Sequence, residues 1–117
     1  MKQRDLAKYL YDMNQACELL LQFTAGKTFT DYSADPLLRS AVERQFEIVG
    51  EALAQALHLD PNLVTKITHT SRIIAFRNRL IHGYASIADA IVWGIVESNL
   101  PTFHREVSAL LKDVNTY

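Results

Sequence analysis

Apolar residues recur at helical spacing along most of the chain. The first set is spaced alternately by four and three positions, which is the pattern of one buried face of an amphipathic helix, and comprises Leu6, Leu10, Met13, Cys17 and Leu20. This periodicity ends near Gly26, a residue type that commonly follows a helix. The segment from Lys27 to Ser33 lacks the pattern, and we predict a loop there.

Two Asp-Pro pairs mark the starts of further helices. Asp35 can cap a helix whose first residue is Pro36, and the same signal recurs at Asp60 and Pro61. The first pair predicts a long helix ending near Leu57, and the second predicts a short one. Six positions of the long helix should point inward: Leu38, Val42, Phe46, Val49, Leu53 and Ala56.

A fourth helix is predicted to pass through Ile73 and Leu80 and to end at His82, with Gly83 as a left-handed residue that stops it. Pro101 should kink or split the last helical segment. The inward positions of that segment are Ile87, Ile91, Ile95, Phe103, Val107, Leu110 and Val114. Four to five helices with short connections predict an all-α, antiparallel four- to five-helix bundle that forms a single domain over residues 1–117.

The composition supports one soluble helical domain. The chain has 117 residues, 49% of them hydrophobic, with 4 Gly and 3 Pro, which favours long helices over a turn-rich β fold. No apolar run is long enough to cross a membrane and no signal peptide precedes the first helix, so we expect a cytoplasmic protein. One cysteine excludes an intrachain disulfide, and four scattered His residues do not resemble a metal site.

The residues from Arg77 to Tyr84 concentrate the groups that act on phosphodiesters. Arg77 supplies a permanent, forked cation that can hold a phosphate, and His82 supplies a general acid or base near neutral pH. Asn78 can donate and accept hydrogen bonds beside them. The surrounding segment, residues 61–88, contains four Lys and Arg and no Asp or Glu, although the whole chain has a net charge of −1. This predicts a local anion site.

The order Arg-Asn-x-Leu-Ile-His-x-Tyr resembles the Arg-x4-His-x-Tyr motif of the HepT-like toxins in the HEPN superfamily of ribonucleases. The segments Val42–Ala52 and Ile91–Val96, followed by Leu100-Pro101, resemble further motifs of that family in the same order. The resemblance implies a homodimer, an RNA substrate, a minimal nucleotidyltransferase antitoxin as partner, and no cofactor. It also implies that Tyr84 receives adenylyl groups, which silence the toxin.

Helix geometry independently favours a site shared by two chains. Five residues rotate a helix by about 500°, so Arg77 and His82 should point roughly 140° apart. One helix therefore has difficulty aiming both side chains at the same phosphorus atom. A twofold dimer resolves this difficulty because each site can take residues from both motifs.

A charged face of the second helix could support the site. Arg44, Glu47 and Glu51 lie on one side of that helix. They could form a solvated charge stripe, or Glu47 or Glu51 could pair with Arg72 or Arg77 and orient the arginine. We predict the second arrangement, with Arg72, Asn78, Glu47 and Glu51 as supporting residues.

Two further residues have both a packing and a functional interpretation. Gly50 lies in the middle of the second helix, which indicates that another backbone approaches closely there. Trp93 could stack on a base, but its apolar neighbours favour packing in the core or in a dimer.

Three functions are consistent with these patterns. The first is a metal-independent endoribonuclease toxin, acting on tRNA or mRNA, in which His82 transfers protons and Arg77 stabilises the charge of the transition state. The second is a non-catalytic helical module that binds a nucleotide or substrate beside a nucleotidyltransferase. The third is a dimerisation domain in which Arg77 and His82 only satisfy the end of a helix.

Overall fold

The computed structural model describes residues 2–83 and 87–114. They form six α-helices, α1 (Lys2–Thr24), α2 (Phe29–Ala34), α3 (Pro36–Leu59), α4 (Thr70–His82), α5 (Asp89–Ser98) and α6 (Leu100–Val114), with a 3-10 helix over Pro61–Thr65 between α3 and α4. The described part of the chain contains no strand. The predicted all-α bundle is therefore confirmed, and α2 is a helix that the sequence did not predict.

The two longest helices, α1 and α3, form the centre of the bundle. Helix α6 packs against α1, and α4 packs against α3, so α4 lies at the outside. All six inward positions predicted for α3 are buried. On α1, four of the five predicted positions are also buried, and Leu6 is half-buried. The helical spacing of apolar residues thus identified most of the contact between these two helices.

The loop predicted for residues 27–33 is wrong, because most of this segment forms α2. The Thr28 hydroxyl accepts a hydrogen bond from the Asp31 amide at 3.2 Å, and the Asp31 carboxylate accepts one from the Thr28 amide at 2.9 Å. This reciprocal pair is a capping box, which can start even a short helix. Helix α2 then buries Tyr32, whose ring lies 5.3 Å from that of Trp93.

Asp89, the first residue of α5, connects that helix to α2 and α3. Its carboxylate accepts a hydrogen bond from the Ser33 hydroxyl at 3.3 Å and lies 4.0 Å from Nε of Arg39. Glu43 interacts electrostatically with the same carboxylate. Burial, followed by the nearby charges of Asp89 and Glu47, raises the pKa of Glu43 above its usual value, while Arg39 opposes this shift.

The helix ends confirm most of the predicted signals. The Asp35 carboxylate accepts hydrogen bonds from two amides of the first turn of α3, and the Asp60 carboxylate accepts one from the Asn62 amide of the 3-10 helix. Helix α4 ends at His82 as predicted, but Gly83 has φ −78° and ψ 102°. The predicted left-handed stop is therefore wrong. The chain leaves α4 in an extended conformation that does not require glycine.

The last helical segment is split, as the position of Pro101 predicted. Helices α5 and α6 are separated by Asn99, and Pro101 is the second residue of α6. A proline is tolerated in a first helical turn because the amides there have no partner within the helix. Within residues 2–83 and 87–114, no helix is both long and apolar enough to cross a membrane.

Candidate active site

Helix α4 crosses α3 at Gly50. A Cβ atom at Gly50 would lie 2.2 Å from Cβ and 2.6 Å from Cγ of Arg77, which is too close for any other residue type without a shift of the helices. The close approach predicted from this mid-helix glycine is therefore confirmed, and the neighbour is the stem of Arg77. This contact fixes the position of the first motif residue on the surface of α3.

The Arg77 guanidinium is oriented by two side chains. Its Nη2 donates to Oε2 of Glu51 on α3, and its Nη1 donates to Oδ1 of Asn78 at 2.9 Å. The predicted pairing of Glu51 with Arg77 is thus confirmed. The Arg77 side chain is 25% exposed, and its Nε is buried without a hydrogen-bond partner among the described residues. One N–H on each terminal nitrogen remains available, which suits an anion with two oxygens.

Arg77 and Glu51 line an open groove of about 500 Å³ between α1, α3 and α4. Arg44 and Glu47 line it too, and they pair with each other at 3.3 Å, so Glu47 does not take the predicted position beside Arg72 or Arg77. From α1 come Lys8, Tyr9 and Asp12, with Lys8 and Asp12 paired at 3.4 Å. The sequence did not predict these three residues. Only the packing of α1 beside α3 brings them to the site.

His82 is the last residue of α4 and is exposed. It does not line the groove that contains Arg77, and no hydrogen bond joins the two side chains. One chain therefore presents the two predicted catalytic groups separately, as their spacing on the helix requires. Tyr84, the predicted site of modification, lies outside the described residues.

Arg72 lies at the start of α4 and lines a different cavity. The supporting role predicted for it beside Glu47 or Glu51 is therefore wrong. It precedes Arg77 by five residues, and the same rotation of about 140° that separates Arg77 from His82 turns Arg72 away from α3's charged face. Its cavity contains His69 instead.

Two other side chains are excluded from direct chemistry. Trp93 is buried against Tyr32 and lines neither the groove of Arg77 nor the cavity of Arg72, so it cannot serve as a base-stacking platform. Burial raises the pKa of the Cys17 thiol to about 12, and a thiol of this kind is a poor nucleophile. Among residues 2–83 and 87–114, no group of three or more His, Cys, Asp or Glu side chains could hold a metal ion.

The fold and the site together define a helical-bundle protein that presents an oriented arginine and an exposed histidine on one outer helix. The sequence profile of a family described as "Ribonuclease HepT-like" matches residues 13–110. The chain therefore belongs to the HepT-like ribonuclease family. The enzyme class of this protein is ribonuclease.

Individual relatives agree with this assignment. A protein of Thermococcus cleftensis named "Probable ribonuclease HepT" is 30% identical over 104 residues, which cover 89% of this chain and 94% of the relative. Proteins named "Putative RNase" include one of Methanocaldococcus jannaschii, 30% identical with 92% and 97% of the two chains covered. Another, of Caldanaerobacter subterraneus subsp. tengcongensis, is 30% identical with 89% and 92% covered. No solved structure gave a significant match.

Proposed function

We propose that this protein is a metal-independent endoribonuclease toxin whose active site is built from two copies of the chain. The observation that carries the proposal is the Arg77 guanidinium, which is held by Glu51 and Asn78 and keeps one unpaired N–H group on each terminal nitrogen. His82 follows five residues later on the same outer helix. Membership of the HepT-like ribonuclease family gives the reaction class.

In the proposed reaction the two motif residues perform different steps. His82 removes the proton of the ribose 2′-hydroxyl, or donates one to the leaving 5′ oxygen. Arg77 binds the non-bridging phosphate oxygens and stabilises the negative charge that grows in the transition state. Glu51 and Asn78 hold the guanidinium in position before substrate binds, so that little reorganisation is needed during the reaction.

The incomplete burial of the apolar residues of α4 supports a homodimer. No apolar side chain of this helix is fully buried, although Ile73, Ile74, Phe76 and Leu80 are each partly covered. Ile81, next to His82 and at the edge of the Arg77 groove, is 45% exposed. A second copy covering this surface would bury apolar area and bring its own motif to the same region.

A subunit-mixing experiment tests the composite site. Arg77→Ala and His82→Ala should each lose RNA cleavage in EDTA by about 10²–10³-fold while keeping their fold. When the two inactive proteins are mixed and allowed to exchange, half of the dimers carry both changes on different chains. Each such dimer has one intact site, so roughly a quarter of wild-type activity should return. A mixture that stays inactive although its subunits exchange would show that the site belongs to one chain.

Arg77→Lys tests the role of the guanidinium itself. Lysine retains the charge and much of the stem that contacts Gly50, but it cannot form the two-pronged contact with phosphate. We expect a folded protein that is nearly as inactive as Arg77→Ala. Cleavage that requires added magnesium after EDTA treatment would contradict the metal-independent mechanism. A folded wild-type protein that cleaves no RNA would favour a non-catalytic module.

We also propose that a minimal nucleotidyltransferase antitoxin silences the toxin by adenylylating Tyr84. The phenol follows His82 by two residues in the sequence, and an attached AMP would compete with substrate phosphate for the basic segment. Incubation with the partner and ATP should add AMP units to the intact mass. A mass gain that persists in Tyr84→Phe would exclude this residue as the switch.

A further inference from the structure

A second cavity lies between α3, α4 and the junction of α5 with α6. Its volume is about 340 Å³, which is within the range of small-molecule sites. Helix α4 forms one wall, and Arg77 lies in a different groove. The cavity therefore belongs to the helix that carries the motif but not to the site described above.

The inner surface of this cavity is apolar and aromatic. Phe46 and Phe76 meet edge to face with their ring centres 5.5 Å apart, and Phe103 and Ile73 complete the wall. Such a surface suits a flat ring, because ring faces and edges both find favourable partners there. A flat aromatic ring is thus the first chemical feature expected of a ligand.

Two cationic or potentially cationic side chains, Arg72 and His69, lie at the start of α4 and line the same cavity. Both are exposed, and neither side chain has a hydrogen bond or ion pair with another described residue. Among residues 2–83 and 87–114, Glu106 is the only acidic residue that lines the cavity. Its two carboxylate oxygens accept hydrogen bonds from the amide and the hydroxyl of Thr68, at 3.0 and 2.7 Å, so it is not paired with Arg72.

The backbone at this end of α4 adds to the attraction for an anion. His69 precedes the helix with φ 61° and ψ 38°, and no side chain caps the first turn. The first amides of a helix have no partner within it and carry partial positive charge. Together with Arg72 they form a cationic margin beside an aromatic cavity.

We infer that this cavity binds a nucleoside phosphate, with the base against Phe46, Phe76 and Phe103 and the phosphate at Arg72 and His69. Ser98 and Asn99, at the α5–α6 junction, offer polar groups for the edge of the base. The nucleotide could be free or part of an RNA chain. Only the RNA case rests on the proposed ribonuclease function. The site would bind a nucleotide away from the scissile phosphate.

Calorimetric titration distinguishes the two sources. One arm uses AMP, GMP, CMP and UMP, and the other uses a 2′-O-methyl hexanucleotide, which cannot be cleaved because its 2′ oxygens are blocked. We expect binding of at least one of these probes to wild-type protein. Binding of a mononucleotide identifies a free-nucleotide site, and binding of the oligonucleotide alone identifies a subsite for RNA. Neither readout requires RNA cleavage, so failure of the proposed function would be seen separately.

Three variants locate the binding. Arg72→Ala should weaken it about ten- to a hundredfold, since it removes a charge-assisted hydrogen bond to phosphate. Ser98→Trp should abolish it by filling the cavity from its exposed margin, with Thr102→Trp as a second filling variant if the first lowers Tm. Arg79→Ala is the matched control, because Arg79 is an exposed arginine of the same helix that lines neither cavity.

The inference would be overturned by any of three results. The first is no binding of any probe at millimolar concentration. The second is equal weakening by Arg72→Ala and Arg79→Ala, which would indicate general attraction to positive charge. The third is unchanged binding in a folded variant whose cavity is filled.

Discussion

Replacing Gly50 with alanine should damage the site more than it damages the fold. The added Cβ would lie 2.2 Å from Cβ and 2.6 Å from Cγ of Arg77. Nonbonded carbon atoms normally remain about 3.5–4.0 Å apart, so α4 must move away from α3 by more than about 1 Å. The residue that moves with it is Arg77, and its hydrogen bond to Glu51 crosses the same interface.

The expected magnitudes differ for stability and for activity. Alanine in place of a mid-helix glycine stabilises by about 0.5–1 kcal/mol, whereas overpacking a helix contact costs about 1–3 kcal/mol. The net effect of Gly50→Ala is therefore between nearly zero and about 2.5 kcal/mol of destabilisation. A displacement of 1 Å at a catalytic group can cost about 10²-fold in rate, so we expect cleavage to fall about a hundredfold.

Gly94→Ala provides the control for helix propensity. Gly94 also lies within a helix, and a Cβ atom there would have no neighbour within 4 Å. This variant should gain about 0.5–1 kcal/mol and cleave RNA at the wild-type rate. Both proteins are compared by thermal unfolding and by single-turnover cleavage of RNA in EDTA. A Gly50→Ala protein that is as stable and as active as Gly94→Ala would contradict the predicted clash with Arg77.

A double-mutant cycle identifies Arg77 as the clashing neighbour. Arg77→Gly removes both stem atoms that approach Gly50 most closely. In that background, Gly50→Ala should become stabilising by about the ordinary helix preference of 0.5–1 kcal/mol. If its effect on unfolding is the same in both backgrounds, the clash lies elsewhere and Arg77 does not set the α3–α4 distance.

Two further variants and one labelling experiment test separate parts of the structure. Glu51→Gln should reduce kcat about 10–100-fold while the chain stays folded, and an unchanged kcat would remove Glu51 from the positioning of Arg77. Because the pKa of Glu43 is raised in the folded protein, the protonated carboxyl favours the folded state. This contribution is fully present below the pKa that Glu43 has in the unfolded chain, and it is lost as the pH rises through its pKa in the folded protein. Glu43→Gln should therefore raise Tm slightly at pH 7 and leave it unchanged near pH 3. With a pKa of about 12, Cys17 should react with a thiol reagent at pH 8 only as fast as the chain opens, and rapid labelling would contradict its burial.

The fold was predictable wherever one helix face carries a regular apolar pattern. All six inward positions of α3 are buried because the helix packs along its whole length, and the pattern reflects that packing. The close approach at Gly50 was also predictable, since a mid-helix glycine indicates a neighbouring backbone. The sequence left Glu47 and Glu51 as alternative partners of an arginine, and only the structure selects Glu51 for Arg77.

Other features depend on tertiary contacts that no local pattern records. The capping box of α2 was present as Thr28 and Asp31, but the helix is too short to show an apolar period. Lys8 and Tyr9 reach the groove only because α1 lies beside α3. Charge alone suggests Arg72 as a partner of Glu47 or Glu51, although its position on α4 turns it toward another cavity. For predicting which side chains lie together, charge complementarity is thus less reliable than the rotation of positions around a helix.

Arg77 connects packing and chemistry through different atoms of one side chain. Its stem occupies the space that Gly50 leaves open, while its guanidinium binds Glu51 and Asn78. The position of the cation is therefore set by the contact between two helices, and not by a flexible side chain alone. His82 has no comparable anchor, because it is the exposed final residue of α4. The proposed second copy would supply what one chain lacks, a surface that holds His82 opposite an arginine already in place.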